Sequence, residues 1–211
     1  MGNSRKYKNP NYEINQETRD KIEKAVLHIF SSSDFHKANM RTVAKEARVS
    51  LETIYNIYGN KEKLLISFLE YWLIKDVERV EEHLKGIGSV KDRLRKFIWT
   101  QLDFYERNPN VGVILFLTIP FITWMSDKKM FELGKLVSLL MDVLKQGQAE
   151  GILNKKIDRT MMVDFLFGMV SRTFIMWFYR GKKESISGKS DIILEMIWRA
   201  ITDPERDGTS V

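Results

Sequence analysis

Cysteine is absent from the 211 residues, which excludes disulfides and thiolate metal sites and suits a reducing compartment. The three histidines, His28, His36 and His83, are too scattered for metal-ligand spacing. Proline is scarce, at four, so few helices need be interrupted. The longest apolar run, VGVILFLTIPFITWM at 111–125, is shorter than the ~20 residues of a spanning helix and contains Pro120, so it reads as buried core. The amino-terminal MGNSRKYKNPNY is basic and polar without an apolar stretch, so a secretory signal is not expected. SGKS at 187–190 has Lys183 where a phosphate-binding loop needs glycine, and Gly86-Ile87-Gly88 lacks the third glycine of a dinucleotide turn. No G-x-S-x-G occurs, and the carboxylates lie beside Lys and Arg on solvated helix faces. The chain therefore offers no catalytic residues, no metal site and no cofactor site.

What is present is a mildly basic chain, with 34 Lys and Arg against 28 Asp and Glu, net charge +6. That balance suits a polyanionic partner. Hydrophobic residues make up 44% of it, enough for the core of one or two domains. The most informative segment runs from Asn39 to Lys63. Asn39 is a good N-cap, and Met40, Val43, Ala44 and Ala47 follow at helical period while Arg41, Thr42, Lys45 and Glu46 face outward. Arg48-Val49-Ser50 breaks the pattern, with Ser50 as the cap of a second short helix. In that helix Ile54, Ile57 and Tyr58 face inward, leaving Leu51, Glu52, Thr53, Tyr55 and Asn56 outside. Two short helices joined by a tight turn bind DNA more often than they do anything else. The first residues of the second helix are then the ones that reach base edges.

The segment from about Thr18 to Leu65 also resembles the DNA-binding domain of TetR-family (AcrR-like) transcriptional repressors. NMRTVAKEARVSLETIYNIYGNKEKL follows that family's signature without a gap. It departs at Asn39, where Thr is usual, at Arg48, where the turn glycine is usual, and at Tyr58, where Phe is usual. Asp34, ahead of Phe35, also stands where the family often has glycine. The resemblance implies that Arg41 and Thr42 lie on the helix crossing the DNA backbone, that Ser50 begins the recognition helix, and that Tyr55 and Lys61 contact phosphate. Leu51, Glu52, Thr53 and Asn56 are then candidates for base contact, and Arg48 for a further phosphate. Asn pairs with adenine, Glu accepts from cytosine, and Leu or a Thr methyl packs on thymine.

The remaining pattern is helical throughout. Thr18 is placed to cap a first helix with an apolar face at Ile22, Ala25, Val26, Ile29 and Phe30. Asn60 caps a long helix from Lys61 to about Lys85, which connects the DNA-reading unit to the C-terminal region without a Gly/Ser linker. Further helices are expected over about 90–106, 110–117, 128–148, 158–180 and 189–201. The last two are apolar on nearly every face, more than a small domain can cover by itself. That predicts a homodimer built on a four-helix bundle, as the TetR resemblance also implies. Within the helix at 158–180, Asp164, Gly168, Ser171 and Arg172 form a polar stripe. It reads as close packing with an interfacial ion pair, the alternative being a polar ligand anchor.

The expected architecture is all-α. A basic tail (1–15) precedes a three-helix helix-turn-helix domain (16–62), and a helical ligand-binding and dimerisation domain (63–203) precedes a short flexible tail (204–211). Arg5, Lys6 and Lys8 could alternatively form an arm on the DNA. The family carries an inducer cavity in its second domain, and large side chains are plentiful there. Phe68, Trp72, Trp99, Phe104 and Phe116 are candidate ligand contacts, as are Phe121, Trp124, Met125, Arg172 and Phe174. The function implied is a cytoplasmic homodimeric repressor that binds a pseudo-palindromic operator on double-stranded DNA and is released by a small hydrophobic or aromatic inducer, with no membrane role. A helical interaction module without DNA binding and a small helical enzyme are the alternatives.

Overall fold

A computed structural model describes residues 15–31, 38–125 and 131–203, with side chains throughout these spans except at 118–125 and 131. The two tails, and Asp34 and Phe35 with them, lie outside the described residues. Every named element among those described is helical. The chain packs as two compact units, Met1–Trp72 with Asn110–Met130, and Leu73–Pro109 with Phe131–Val211.

In the first unit, α1 (Gln16–Phe30) is capped by Asn15, whose side-chain oxygen accepts the Thr18 N–H at 2.8 Å. The cap expected at Thr18 thus falls three residues earlier, because Asn is as good a cap as Thr and the helix gains a turn by using it. Ile22, Ala25, Val26 and Phe30 are buried, each large side chain contributing roughly 1.5–3 kcal/mol by leaving water. They meet α2 (Met40–Ala47), which buries Met40, Val43, Ala44 and Ala47. The short α3 (Leu51–Tyr58) buries Ile54, and α4 (Lys61–Leu84) begins at Asn60, whose Oδ1 accepts the Lys63 N–H at 2.8 Å.

The division between units falls inside α4 rather than at its start, since one continuous helix lends its first half to one core and its second half to another. It also assigns most of α6 (Pro109–Met125) to the first unit. This helix was expected to stop near Leu117, yet it continues through Pro120. A proline forfeits one backbone hydrogen bond, and the bonds on either side carry the helix past it. Pro109 sits at the first helical position, where its missing N–H costs nothing.

The second unit is built around α5 (Val90–Arg107), which packs against α7 (Phe131–Ala149), α8 (Arg159–Tyr179) and α9 (Ser190–Ile201). The start expected for α7 at Lys128 lies outside the described residues. Asp158 caps α8 through the Thr160 N–H at 2.7 Å. Glu106 fastens the segment ahead of α9: one carboxylate oxygen accepts from Ser185 Oγ (3.0 Å), Ile186 N (3.0 Å) and Ser187 N (2.9 Å). Burial acts to raise the Glu106 carboxyl, but these donors outweigh it and hold it below the usual carboxylate range. Lys91 ties α5 to α9 through Glu195 at 2.6 Å.

By length and composition α8 could cross a membrane. It instead packs one face on α5, α7 and α9, and its other face carries Asp164 and Arg172.

Candidate functional site

The geometry of the reading unit follows from its caps. Asn39 and Thr42 form a reciprocal capping box, the Thr42 N–H donating to Asn39 Oδ1 and the Asn39 N–H to Thr42 Oγ1, both at 3.0 Å. The Thr42 hydroxyl donates to the Asn39 carbonyl at 2.8 Å, so it serves the helix start. At the other end of α2, Arg48 adopts φ 55°, ψ 43°, the left-handed conformation that glycine provides without strain. The Val49 N–H closes the turn onto Ala44 O at 3.0 Å. Ser50 then caps α3 by accepting the Thr53 N–H at 2.9 Å, and its hydroxyl pairs with that of Thr53 at 2.7 Å.

With the turn fixed in this way, α3 presents Tyr55, 49% exposed, together with exposed Glu52 and half-buried Leu51, Thr53 and Asn56. Glu52 lies in the first turn, where a carboxylate offsets the positive end of the helix dipole. That gives it a structural reason to be there besides any base contact. Tyr58 faces inward, and burial pushes its phenol up to about 12. Arg41 and Arg48 are exposed on the flank.

Lys61, a phosphate contact by its motif position, also has partners within the protein. Its ammonium donates to the Ala38 carbonyl at 2.8 Å and lies 5.2 Å from the centre of the Phe30 ring. Burial is the main cause that lowers its pKa. Lys61 thereby joins the end of α1, the approach to α2 and the start of α4. An ammonium has three donors, so a phosphate can share it, but its first task here is positioning.

The second unit contains a buried polar chain that the sequence pattern did not bring out. Tyr105 Oη approaches Gln101 Oε1 at 3.5 Å, and Gln101 Nε2 donates to Asp76 Oδ2 at 2.8 Å. Asp76 is 1% exposed, and its other oxygen has no hydrogen-bond partner among the described residues. Burial pushes the Asp76 carboxyl up to about 7, against the opposing effects of Gln101 and of the Arg79 charge. Burial, and next the Asp76 charge, also raise the Tyr105 phenol. The available signal was register: Asp76 falls in line with Leu69, Leu73 and Val80 on the apolar stripe of α4, and Gln101 with Leu94, Phe97 and Tyr105 on α5. A carboxylate on a core stripe is a stronger clue than an aromatic on one.

The candidate ligand contacts fall in several places. Phe104 and Phe174 are buried and flank Tyr105, with ring centres at 5.4 and 5.3 Å. Trp99 belongs instead to an open surface pocket of about 310 Å³, also lined by Ile87, Arg95, Lys96 and Asp191. The Lys96 ammonium lies 4.2 Å from the Trp99 ring centre and the Arg79 guanidinium 5.5 Å, so cations stack on this half-buried ring. Arg172 is exposed on α8 in line with Met161, Phe165 and Gly168, which removes it from any interior ligand site in a single subunit. Phe68 is buried, and Trp72 and Phe116 are half-buried, in the first unit. The side chains of Phe121, Trp124 and Met125 lie outside the described residues.

A capped helix, a left-handed turn and a second capped helix with an outward polar face, followed by a separate all-helical region, define a helix-turn-helix DNA-binding regulator. Residues 22–68 match the family of bacterial regulatory proteins, tetR family, and residues 70–200 match the YsiA-like protein, C-terminal region. The chain belongs to the tetR family of transcriptional regulators, and the resemblance carried by Asn39–Lys63 is borne out. It is a regulator and not an enzyme.

Among its relatives, the fatty acid metabolism regulator protein of Bacillus subtilis is 24% identical over 174 residues, 82% of this chain and 90% of that protein. The transcriptional repressor NicS of Pseudomonas putida is 28% identical over 178 residues, 81% of this chain and 79% of that one. The fold is shared with the fatty acid degradation regulator FadR of Bacillus halodurans (TM-score 0.75, 18% identity, 89% of this chain and 97% of that one). It is also shared with FadR of B. subtilis, whose structure is a complex with stearoyl-CoA (TM-score 0.72, 22% identity, 85% and 97%).

Proposed function

We propose that the protein is a homodimeric repressor of the bacterial cytoplasm that binds a pseudo-palindromic operator and releases it when a small, largely hydrophobic ligand, such as an acyl thioester, occupies the C-terminal region. The observation that carries the DNA-binding part is the outward face of α3, held by the Ser50 cap and the left-handed Arg48 turn. On this reading Leu51, Glu52, Thr53 and Asn56 meet base edges, while Arg41, Arg48 and Tyr55 meet phosphates, with Lys61 sharing its ammonium.

The dimer reading is supported by the exposed apolar residues of α8 and α9. Met161 is 66% exposed, Ile192 68% and Met196 56%, and Phe165 continues the α8 stripe at i+4 from Met161. Large side chains at this spacing are costly to leave in water. Asp164 and Arg172 lie on the same stripe, so a two-fold contact can place the carboxylate of one copy against the guanidinium of the other. Half-sites are then about one helical turn apart or more.

The acyl thioester is suggested by the stearoyl-CoA complex of the B. subtilis relative. Ligand acts through its differential affinity for a dimer geometry whose two reading heads do not fit the groove spacing. The α4 helix, shared by the two units, is the lever. The test is operator selection from random DNA, followed by anisotropy with stearoyl-CoA and a series of apolar ligands. Tyr55→Phe is expected to weaken all sequences alike, and Asn56→Ala to cost ~1–3 kcal/mol at particular bases. Failure to enrich any sequence refutes the reading. So does an operator complex that no apolar ligand disturbs.

A further inference from the structure

The buried chain that ends at Asp76 has a direction. Tyr105 Oη points its proton to Gln101 Oε1, Gln101 Nε2 donates to Asp76 Oδ2, and Asp76 closes the series as an acceptor. Its remaining oxygen, Oδ1, is buried and has no partner among the described residues. A carboxylate oxygen left this way is among the more destabilising features that a core can retain. Arg79, whose charge acts on Asp76, is paired with Asp103, which Arg107 also holds at 2.9 Å. The guanidinium is therefore committed elsewhere. The other end of the chain lies among rings: Tyr105 is flanked by Phe104 and Phe174, and Phe174 in turn meets Trp177 and Phe178 at 6.0 and 6.1 Å.

An orphan acceptor at one end of a buried polar chain whose other end lies among rings has the composition of a ligand site in which one polar group fixes an apolar body. We propose that Asp76 Oδ1 is the hydrogen-bond anchor for the ligand of this protein, and that the ligand is an apolar molecule carrying an N–H or O–H donor. The inference rests on the C-terminal region being the ligand-binding part, and it narrows the chemistry that this part accepts. With Asp76 ionised, pure hydrocarbons and molecules with acceptors alone leave Oδ1 unsatisfied. Alcohols, amines and molecules with amide N–H groups satisfy it. Gln101 is the positioning residue, fixing which carboxylate oxygen is presented.

The test uses three probes of similar length on the full chain, 1-octanol, octylamine and methyl heptanoate, with affinities read by tryptophan fluorescence and calorimetry. At about pH 8.5, where the Asp76 carboxyl is ionised, the wild-type protein is expected to bind the alcohol, and the amine as its ammonium, at least about tenfold more tightly than the ester, the value of one hydrogen bond to a charged group. Asp76→Asn keeps a carbonyl oxygen for Gln101 and turns an NH2 toward the former Oδ1 position, so the preference reverses in favour of the ester. Asp76→Leu brings the three probes within about twofold of one another. Equal affinities in the wild type, an unchanged order in Asp76→Asn, or binding of none of the probes overturns the proposal. The assay contains no DNA, so the order of the affinities concerns Asp76 alone, whereas binding of none of the probes also counts against a ligand site in this region. Failure of a bound probe to release the operator bears instead on the regulatory reading.

Discussion

Raising the pH is expected to weaken this protein through one carboxyl, that of Asp76. Its folded pKa is about 7, against an ordinary value of 3.8. Below the lower value both the folded and the unfolded chain hold the proton, and the folded form carries no penalty from this group. Between the two values the folded protein retains the proton and the unfolded chain does not, so stability falls as pH rises. Above the upper value both forms are ionised and the loss is complete. At about 1.4 kcal/mol per pKa unit, the separation is worth on the order of 4 kcal/mol, a large part of a typical domain's stability. Asp76→Asn removes the titration while preserving size and the Gln101 contact. Urea denaturation of both proteins, at one protein concentration because a dimer's stability depends on it, gives the difference directly. The variant should gain on the wild type by several kcal/mol between about pH 4 and about pH 8, whatever its offset at either end. All other titrating groups are common to both chains and cancel. A difference that stays constant to within about 1 kcal/mol across this range refutes the burial argument.

Three further outcomes rest on local geometry. A Cβ added to Gly147 would stand 2.6 Å from Leu153 Cγ and Cδ1 and 3.0 Å from Val90 Cγ1. Gly147→Ala is therefore expected to destabilise by ~1–3 kcal/mol despite alanine's better helix propensity, and a higher denaturation midpoint would contradict this. Glu106→Gln weakens the three hydrogen bonds that fasten the approach to α9. With the folded pKa held low, the wild-type advantage is present above the ordinary carboxyl range and disappears as pH falls through the folded value. A cost of ~1–3 kcal/mol at neutral pH that is absent in acid is expected, and a pH-independent cost would count against a charge-assisted cap. Arg48→Gly relieves a left-handed backbone and should stabilise by roughly 1 kcal/mol in thermal or urea unfolding, while loss of stability would show that the arginine side chain holds the turn.

Much of the reading unit was legible because caps act over three or four residues. Asn39, Ser50 and Asn60 cap the helices they were expected to cap, since each needs only an amide a turn away. The left-handed Arg48 was likewise visible as a residue standing where a turn demands glycine. The stripe pattern similarly marked Ile22, Val43 and Ile54 as core. Where two local signals competed, as with Asn15 and Thr18 at the start of α1, the pattern could not rank them, and it stopped α6 at a proline that the helix passes.

The candidate ligand contacts were less legible, because an aromatic residue's apolar character does not say which neighbours it meets. Phe104 and Phe174 converge on Tyr105, whereas Trp99 lies in a surface groove under Lys96 and Arg172 on an exposed stripe. By itself the sequence determined the class of protein: the order of caps, helical stripes and turn over Asn39–Lys63 is a local code, and it specifies a DNA-reading unit of the tetR family. Only the tertiary structure decided that the Lys61 ammonium is spent on a carbonyl 23 residues earlier, or that Asp76 lies buried with one oxygen unsatisfied. The reason is physical: a charge's environment is set by side chains brought in from distant parts of the chain, and burial changes the behaviour of an ionisable group far more than its immediate neighbours in sequence do.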